Sequence, residues 1–232
     1  MTSAPRPAFY ALAPGGWRDY VTLLHPPYTL WHLSYVAIGA ALVPGLDWPR
    51  LACALAAFFL GLGVGAHALD ELRGRPLETR IPERMLIALA AGSLAAGAAI
   101  GVAAALAWNM WLLAFVAAAV VLAVAYNLEL FGGRLHSDNW FAFAWGAFPL
   151  LTAYFGAAET LTLTAAIAAA GAFALSRVQR RLSTKVRTIR RRQAPHGQID
   201  ADALVAGPER TLKAIAYGLV VLATVLVSLR LA

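Results

Sequence analysis

The chain has 232 residues, of which 60% are apolar and 13% charged, and its mean hydropathy is +0.66. Average soluble domains hold about 25% charged and 45–50% apolar residues, so this composition excludes a disordered chain and argues against a water-soluble globule. A single cysteine, Cys53, excludes an internal disulfide, and the net charge of +7 is explained by where the basic residues lie, without invoking nucleic acid.

The first 27 residues contain Pro5, Pro7, Pro14, Gly15 and Gly16 with no apolar core between them, so no cleavable signal peptide is expected. Tyr10, Trp17 and Tyr20, with Tyr28 directly after them, suit a segment, residues 1–27, that lies along a membrane interface. Residues 28–232 read as an all-α, polytopic membrane helix bundle. Spanning about 30 Å of hydrocarbon takes about 20 mostly apolar residues. Seven stretches are predicted as spans: about 28–46, 51–69, 85–107, 109–127, 139–157, 160–176 and 211–230. Gly61, Gly65, Gly92, Gly97 and Gly101 suit close helix packing, although an Ala/Gly-rich stretch contains such spacings by chance as well.

Orientation follows from Lys and Arg. With the N-terminus inside, 17 basic residues fall on the inner side and only Arg50 and Arg230 on the outer side. The inner connections, about 70–84, 128–138 and 177–210, are long, and the outer ones short. The polar chemistry is therefore expected at the cytoplasmic face of the cell membrane, where an enzyme or transporter would need it.

Three polar stretches stand out. The first runs from Gly65 through His67, Asp70 and Glu71 to Arg75 and Pro82. His67, Asp70 and Glu71 are spaced i, i+3, i+4 and share a helical face. An imidazole and two carboxylates can hold a divalent ion, and oxygen-rich sets suit Mg²⁺. A helix simply ending at the headgroups accounts for Glu71 and Arg75 better than for His67 and Asp70. The second stretch holds Tyr126, Asn127, Glu129 and Arg134 around a Gly132-Gly133 turn, and Asn127, Glu129 and Arg134 can point back to a shared cavity. The third repeats Arg177, Arg180, Arg181 and Thr184 at helical spacing, with Lys185 next. Such a stripe can clamp a diphosphate with guanidinium pairs, or bind anionic lipid and fix topology. Motifs such as HExxH, GxSxG, CxxC and GxGxxG are absent from the sequence.

This layout resembles the UbiA superfamily of intramembrane prenyltransferases. The resemblance covers about residues 22–192 and rests on the His25-Pro26 step before the first span, the His67–Pro82 stretch, and the Tyr126–Asp138 connection followed by a helix with Gly146 and Pro149. It implies an α-helical bundle with two cytoplasmic acidic motifs that hold Mg²⁺ and the diphosphate of an isoprenoid donor. A hydrophobic acceptor then takes the allylic carbocation. Asp70 carries over directly from the first motif, and His67 stands where its first Asp would be. The second motif, due near 176–185, is absent, and basic residues take its place. The implied site has Asp70 and Glu71 at a metal with His67, and Arg75, Arg134, Arg177, Arg180, Arg181 and Lys185 toward the diphosphate. Tyr126 and Asn127 would orient the acceptor. The implied activity is prenyl transfer. A membrane terpene cyclase, or a lipid-binding scaffold without catalysis, is the alternative.

Overall fold

Every long apolar stretch of the sequence is helical, as expected where backbone polar groups have no water to bond. The computed structural model describes residues 6–192 and 201–231, and within them the chain is all-α, with eight helices. They are α1 (Trp17–Leu23), α2 (Pro26–Ala41), α3 (Trp48–Leu72), α4 (Glu83–Ala107), α5 (Leu112–Asn127), α6 (Asp138–Ala158), α7 (Leu163–Arg192) and α8 (Ala201–Ser228). Local signals set their starts. Pro26 opens α2, the Asp47 carboxylate accepts from the Arg50 amide at 3.0 Å to cap α3, and the Ser137 hydroxyl accepts from the Trp140 amide at 3.3 Å to cap α6.

The expectation of seven spans is corrected to four. Among the described residues only α3, α4, α6 and α8 are long and apolar enough to cross a membrane, which makes the chain a candidate integral membrane protein. Helices α2 and α5 have 16 residues each, roughly 24 Å at 1.5 Å per residue and short of the hydrocarbon thickness. Helix α7 has 30 residues, but basic side chains recur along it from Arg177 onward. The connection expected at 177–210 is largely helix as well, since α7 continues to Arg192 and α8 begins at Ala201; residues 193–200 lie outside the described residues.

Helix α2 is central and packs against both α6 and α8. Trp31, Tyr35, Leu150, Ala172, Leu212 and Leu219 form the main core there. The close approaches fall at glycines. A Cβ on Gly146 would stand 2.6 Å from the Ser176 hydroxyl, and one on Gly97 2.9 Å from the Ala57 carbonyl oxygen. Of the predicted packing glycines, Gly65, Gly97 and Gly101 meet a neighbour in this way, whereas Gly61 and Gly92 face open space.

Helices α3 and α6 each contain a π-helical segment, Phe59–Ala66 and Phe143–Ala147. Such widened turns frequently mark functional sites. Here they deliver His67 and Trp145 to the centre of the bundle. The connections segregate to two ends. Arg50 bonds Gly156 and Glu159, and Asn109 bonds Glu159, which gathers the short connections at one end. At the other end, Arg80 bonds Asp19 and Arg73 pairs with Glu129.

Candidate functional site

Two cavities share Trp145 as a lining residue. The first, of about 140 Å³, is almost wholly apolar and runs between α3, α4, α5 and α6, lined by small residues such as Ala54, Ala57, Gly61, Ala98 and Ala104. The second, of about 80 Å³, lies at the end of the bundle that carries the long connections and is polar. Trp145 lines both.

The polar chamber is built from distant parts of the chain. Helix α2 and the residue before it give His25, Tyr28 and His32, α3 gives His67 and Asp70, and α5 gives Tyr126 and Asn127. Helix α7 gives Gln179, Arg180, Ser183 and Arg187, and residues 7–10 turn inward to form part of the wall.

The hydrogen bonds fix the histidine tautomers. A carbonyl only accepts, so the Nδ1 of His32 donates to the Trp145 oxygen at 2.7 Å. Its Nε2 is then an acceptor for the Gln179 amide at 3.3 Å, which leaves Gln179 Oε1 buried without a partner. By the same reasoning His67 Nδ1 donates to the Gly63 oxygen at 3.0 Å, and its Nε2 keeps a lone pair. His136 donates from Nδ1 to the Tyr126 oxygen at 2.9 Å and accepts from Arg180 at 3.0 Å.

The chamber also holds polar atoms that the protein leaves unbonded. His25 Nε2, the Tyr126 hydroxyl, Gln179 Oε1 and Arg180 Nε are buried with no hydrogen-bond partner. Buried polar groups are nearly always bonded, so four orphans around one cavity point to a polar ligand. Arg180 lies 3.9 Å from Asp138, and its guanidinium sits over the Tyr126 and Phe141 rings. Burial and the neighbouring His67 hold the His25 imidazole well below its ordinary range, and burial holds the Tyr10 phenol well above its own.

The structure brings together five of the predicted residues: His67, Asp70, Tyr126, Asn127 and Arg180 all line the chamber. It sends the others elsewhere. Glu71 is fully buried, and its carboxylate accepts from the Leu77 amide at 3.0 Å and from the Thr79 amide and hydroxyl at 2.9 and 2.8 Å. It therefore holds the 73–82 connection and is not part of a metal set with His67 and Asp70. Among the described residues no three His, Cys, Asp or Glu side chains are placed to hold a metal ion, so the three-ligand site predicted from spacing does not fit. Arg75 donates to the Thr79 and Ile81 oxygens at 3.1 and 2.7 Å, again a structural role. Arg134 and Lys185 are exposed, and Arg181 is exposed and 3.5 Å from Asp138. Arg177 is half-buried with its Nε unbonded, but it lies outside the chamber wall. The face of α7 that meets the chamber thus runs through Gln179, Ser183 and Arg187, rotated from the predicted stripe.

Sequence reasoning missed Tyr10, His25, His32, Gln179 and Arg187. A signal was available for two of them, since His25 and His32 are spaced i, i+7 with Tyr28 between, a polar stripe on an apolar helix.

No family model matches the chain, and neither a curated protein nor a solved structure matches it.

Proposed function

We propose that the protein is a membrane prenyltransferase of UbiA type, acting on an isoprenoid diphosphate at the end of the bundle that carries the long connections. One observation carries the proposal: a chamber with unbonded polar atoms lies beside an apolar cavity, and the two share Trp145 as a wall. That shape suits an amphiphile with a charged head and a hydrocarbon tail. The UbiA resemblance in sequence supplies the reaction class.

In this reading Arg180 and Arg187 face the diphosphate. Their guanidinium groups match phosphate oxygens in pairs and stabilise charge as the carbon–oxygen bond breaks and its electron pair leaves with the diphosphate. The Tyr126 hydroxyl adds a donor. The tail lies in the apolar cavity, which keeps water from the allylic cation. An acceptor nucleophile bonds to that carbon and gives up a proton, which the His25 imidazole, whose Nε2 has no partner in the protein, would take as its neutral tautomer with the proton on Nδ1. Mg²⁺ commonly binds through one or two carboxylates together with substrate phosphates, and Asp70 fits as such a single carboxylate. When bound, that ion would neutralise leaving-group charge.

The clustering of basic residues toward the end of the bundle that carries the polar chamber supports a cytoplasmic position for that end. The test is to incubate the purified full chain in nanodiscs with labelled prenyl diphosphates, Mg²⁺ and a lipid extract. Diphosphate release with a prenylated product supports transfer. A cyclic hydrocarbon product would indicate a cyclase instead, and no release with any extract would leave a lipid-binding protein.

A further inference from the structure

We infer that the Arg50–Trp108 clamp is the end-stop of the apolar cavity and sets the longest hydrocarbon tail the protein accepts. The inference rests on the reading of that cavity as a tail site.

Along α3 the cavity wall includes the seam Arg50, Ala54, Ala57 and Gly61, spaced i, i+4, i+7 and i+11 on one helical face, with Leu51, Phe58 and Leu62 beside it. From Arg50 to Ala66, near the polar chamber, is roughly 24 Å of helix at 1.5 Å per residue. On this seam only Arg50 is larger than alanine. It is also the one charged side chain among the described residues that line the cavity. Its guanidinium is turned away into a built network. It donates to the Gly156 oxygen at 2.8 Å and to Glu159 at 2.9 Å, approaches Asp47 at 3.3 Å, and lies 5.4 Å from the centre of the Trp108 ring. Glu159 is held in turn by Asn109 at 3.2 Å. A surface tie between connections would need none of this inside a cavity, yet both Arg50 and Trp108 line it. The apolar stem of Arg50 and the Trp108 ring present carbon to the tail, while the charge stays with its carboxylates.

The test measures binding of geranyl, farnesyl, geranylgeranyl and longer polyprenyl diphosphates to the full chain in nanodiscs. In the wild type, affinity should climb by roughly fourfold per buried methylene and then stop climbing at one chain length. Trp108→Ala, which leaves the Arg50 ion pairs in place, should move that limit to longer tails, and so should Arg50→Ala. Ala54→Leu should move it to shorter tails and Gly61→Leu further still; a Cβ at Gly61 meets nothing within 4 Å and so projects into open space. Should Arg50→Ala fail to fold, the other three variants decide. Probes that bind with a limit unmoved in Trp108→Ala, Ala54→Leu and Gly61→Leu overturn the end-stop and leave the tail site standing. No binding of any probe to the wild type overturns the tail site itself, and the end-stop with it.

Discussion

His25 lies flat on His67, with ring centroids 4.0 Å apart and ring planes 13° apart. It reaches that position from a left-handed backbone conformation, φ 46° and ψ 55°, immediately before Pro26. A non-glycine residue held there costs about 1–3 kcal/mol and persists only where its surroundings over-determine it. Here Tyr10 and Tyr28 pack on the same ring at 5.3 and 6.4 Å, and the neighbouring chamber wall carries Asp70 and Arg187. The strain places a second imidazole against the first, next to the face where Asp70 and the α7 arginines converge.

That pairing predicts an acid-sensitive fold. The His25 pKa is lowered well below 6.5, first by burial and then by His67. Below 6.5 the unfolded chain therefore binds a proton that the folded chain refuses, so stability is full above that value and falls as pH drops toward the lower folded value. Melting temperature in detergent should decline between about pH 7 and pH 5. His25→Asn should shift the whole curve and flatten this decline. An unchanged acid slope in the variant would assign the sensitivity to other groups.

Asp70 and Glu71 are neighbours with opposite duties, and their variants should separate cleanly. Glu71→Ala removes three hydrogen bonds and leaves the Leu77 and Thr79 amides without their acceptor. The expected loss of stability is about 3 kcal/mol or more, read by chemical denaturation. Asp70→Asn should leave the melting temperature near that of the wild type and lower Mg²⁺-dependent binding of a prenyl diphosphate analogue. Equal melting losses in both variants would place Asp70 in the scaffold as well.

The helix pattern was legible because apolar length and small residues dictate it. Asp70, Tyr126, Asn127 and Arg180 were legible because polar side chains closing apolar runs are costly unless used. Glu71 was misread for a physical reason. Spacing gives the face of a helix but not where a returning connection will place its own amides, and the 73–82 connection brings two buried amides that need an acceptor. The α7 stripe was misread because a run of arginines looks alike from several faces, and only packing against α6 and α8 sets the rotation. Tyr10 and Gln179 reach the chamber across gaps in sequence that carry no periodic signal.

The rotation of α7 yields a direct contrast. Arg187 lines the chamber and makes no hydrogen bond or ion pair to another described residue, whereas Arg181 is exposed beside Asp138. A hydrogen bond to a charged group is worth about 1.5–3 kcal/mol. Arg187→Ala should therefore weaken binding of a diphosphate analogue by roughly 10- to 100-fold, and Arg187→Lys should recover only part of it. Arg181→Ala should change binding little at moderate salt, where exposed charges are screened within about 10 Å. Equal effects at the two positions would mean that general basicity attracts the anion and that no site at Arg187 holds it.

Sidedness is the last prediction, and the two ends of the bundle offer matched reporters. Asp47 sits in the connection tied to Arg50, and Lys185 is exposed on the α7 segment that borders the polar chamber. The basic residues cluster at the second end, and loops rich in Lys and Arg remain cytoplasmic. In a Cys53→Ser background, Asp47→Cys should react with a membrane-impermeant maleimide added to intact cells, and Lys185→Cys should react only after the membrane is opened. Labelling of both in intact cells would argue against a spanning bundle. The reverse pattern would put the polar chamber on the outer face, away from the cytoplasmic supply of soluble phosphorylated donors that the proposed reaction requires.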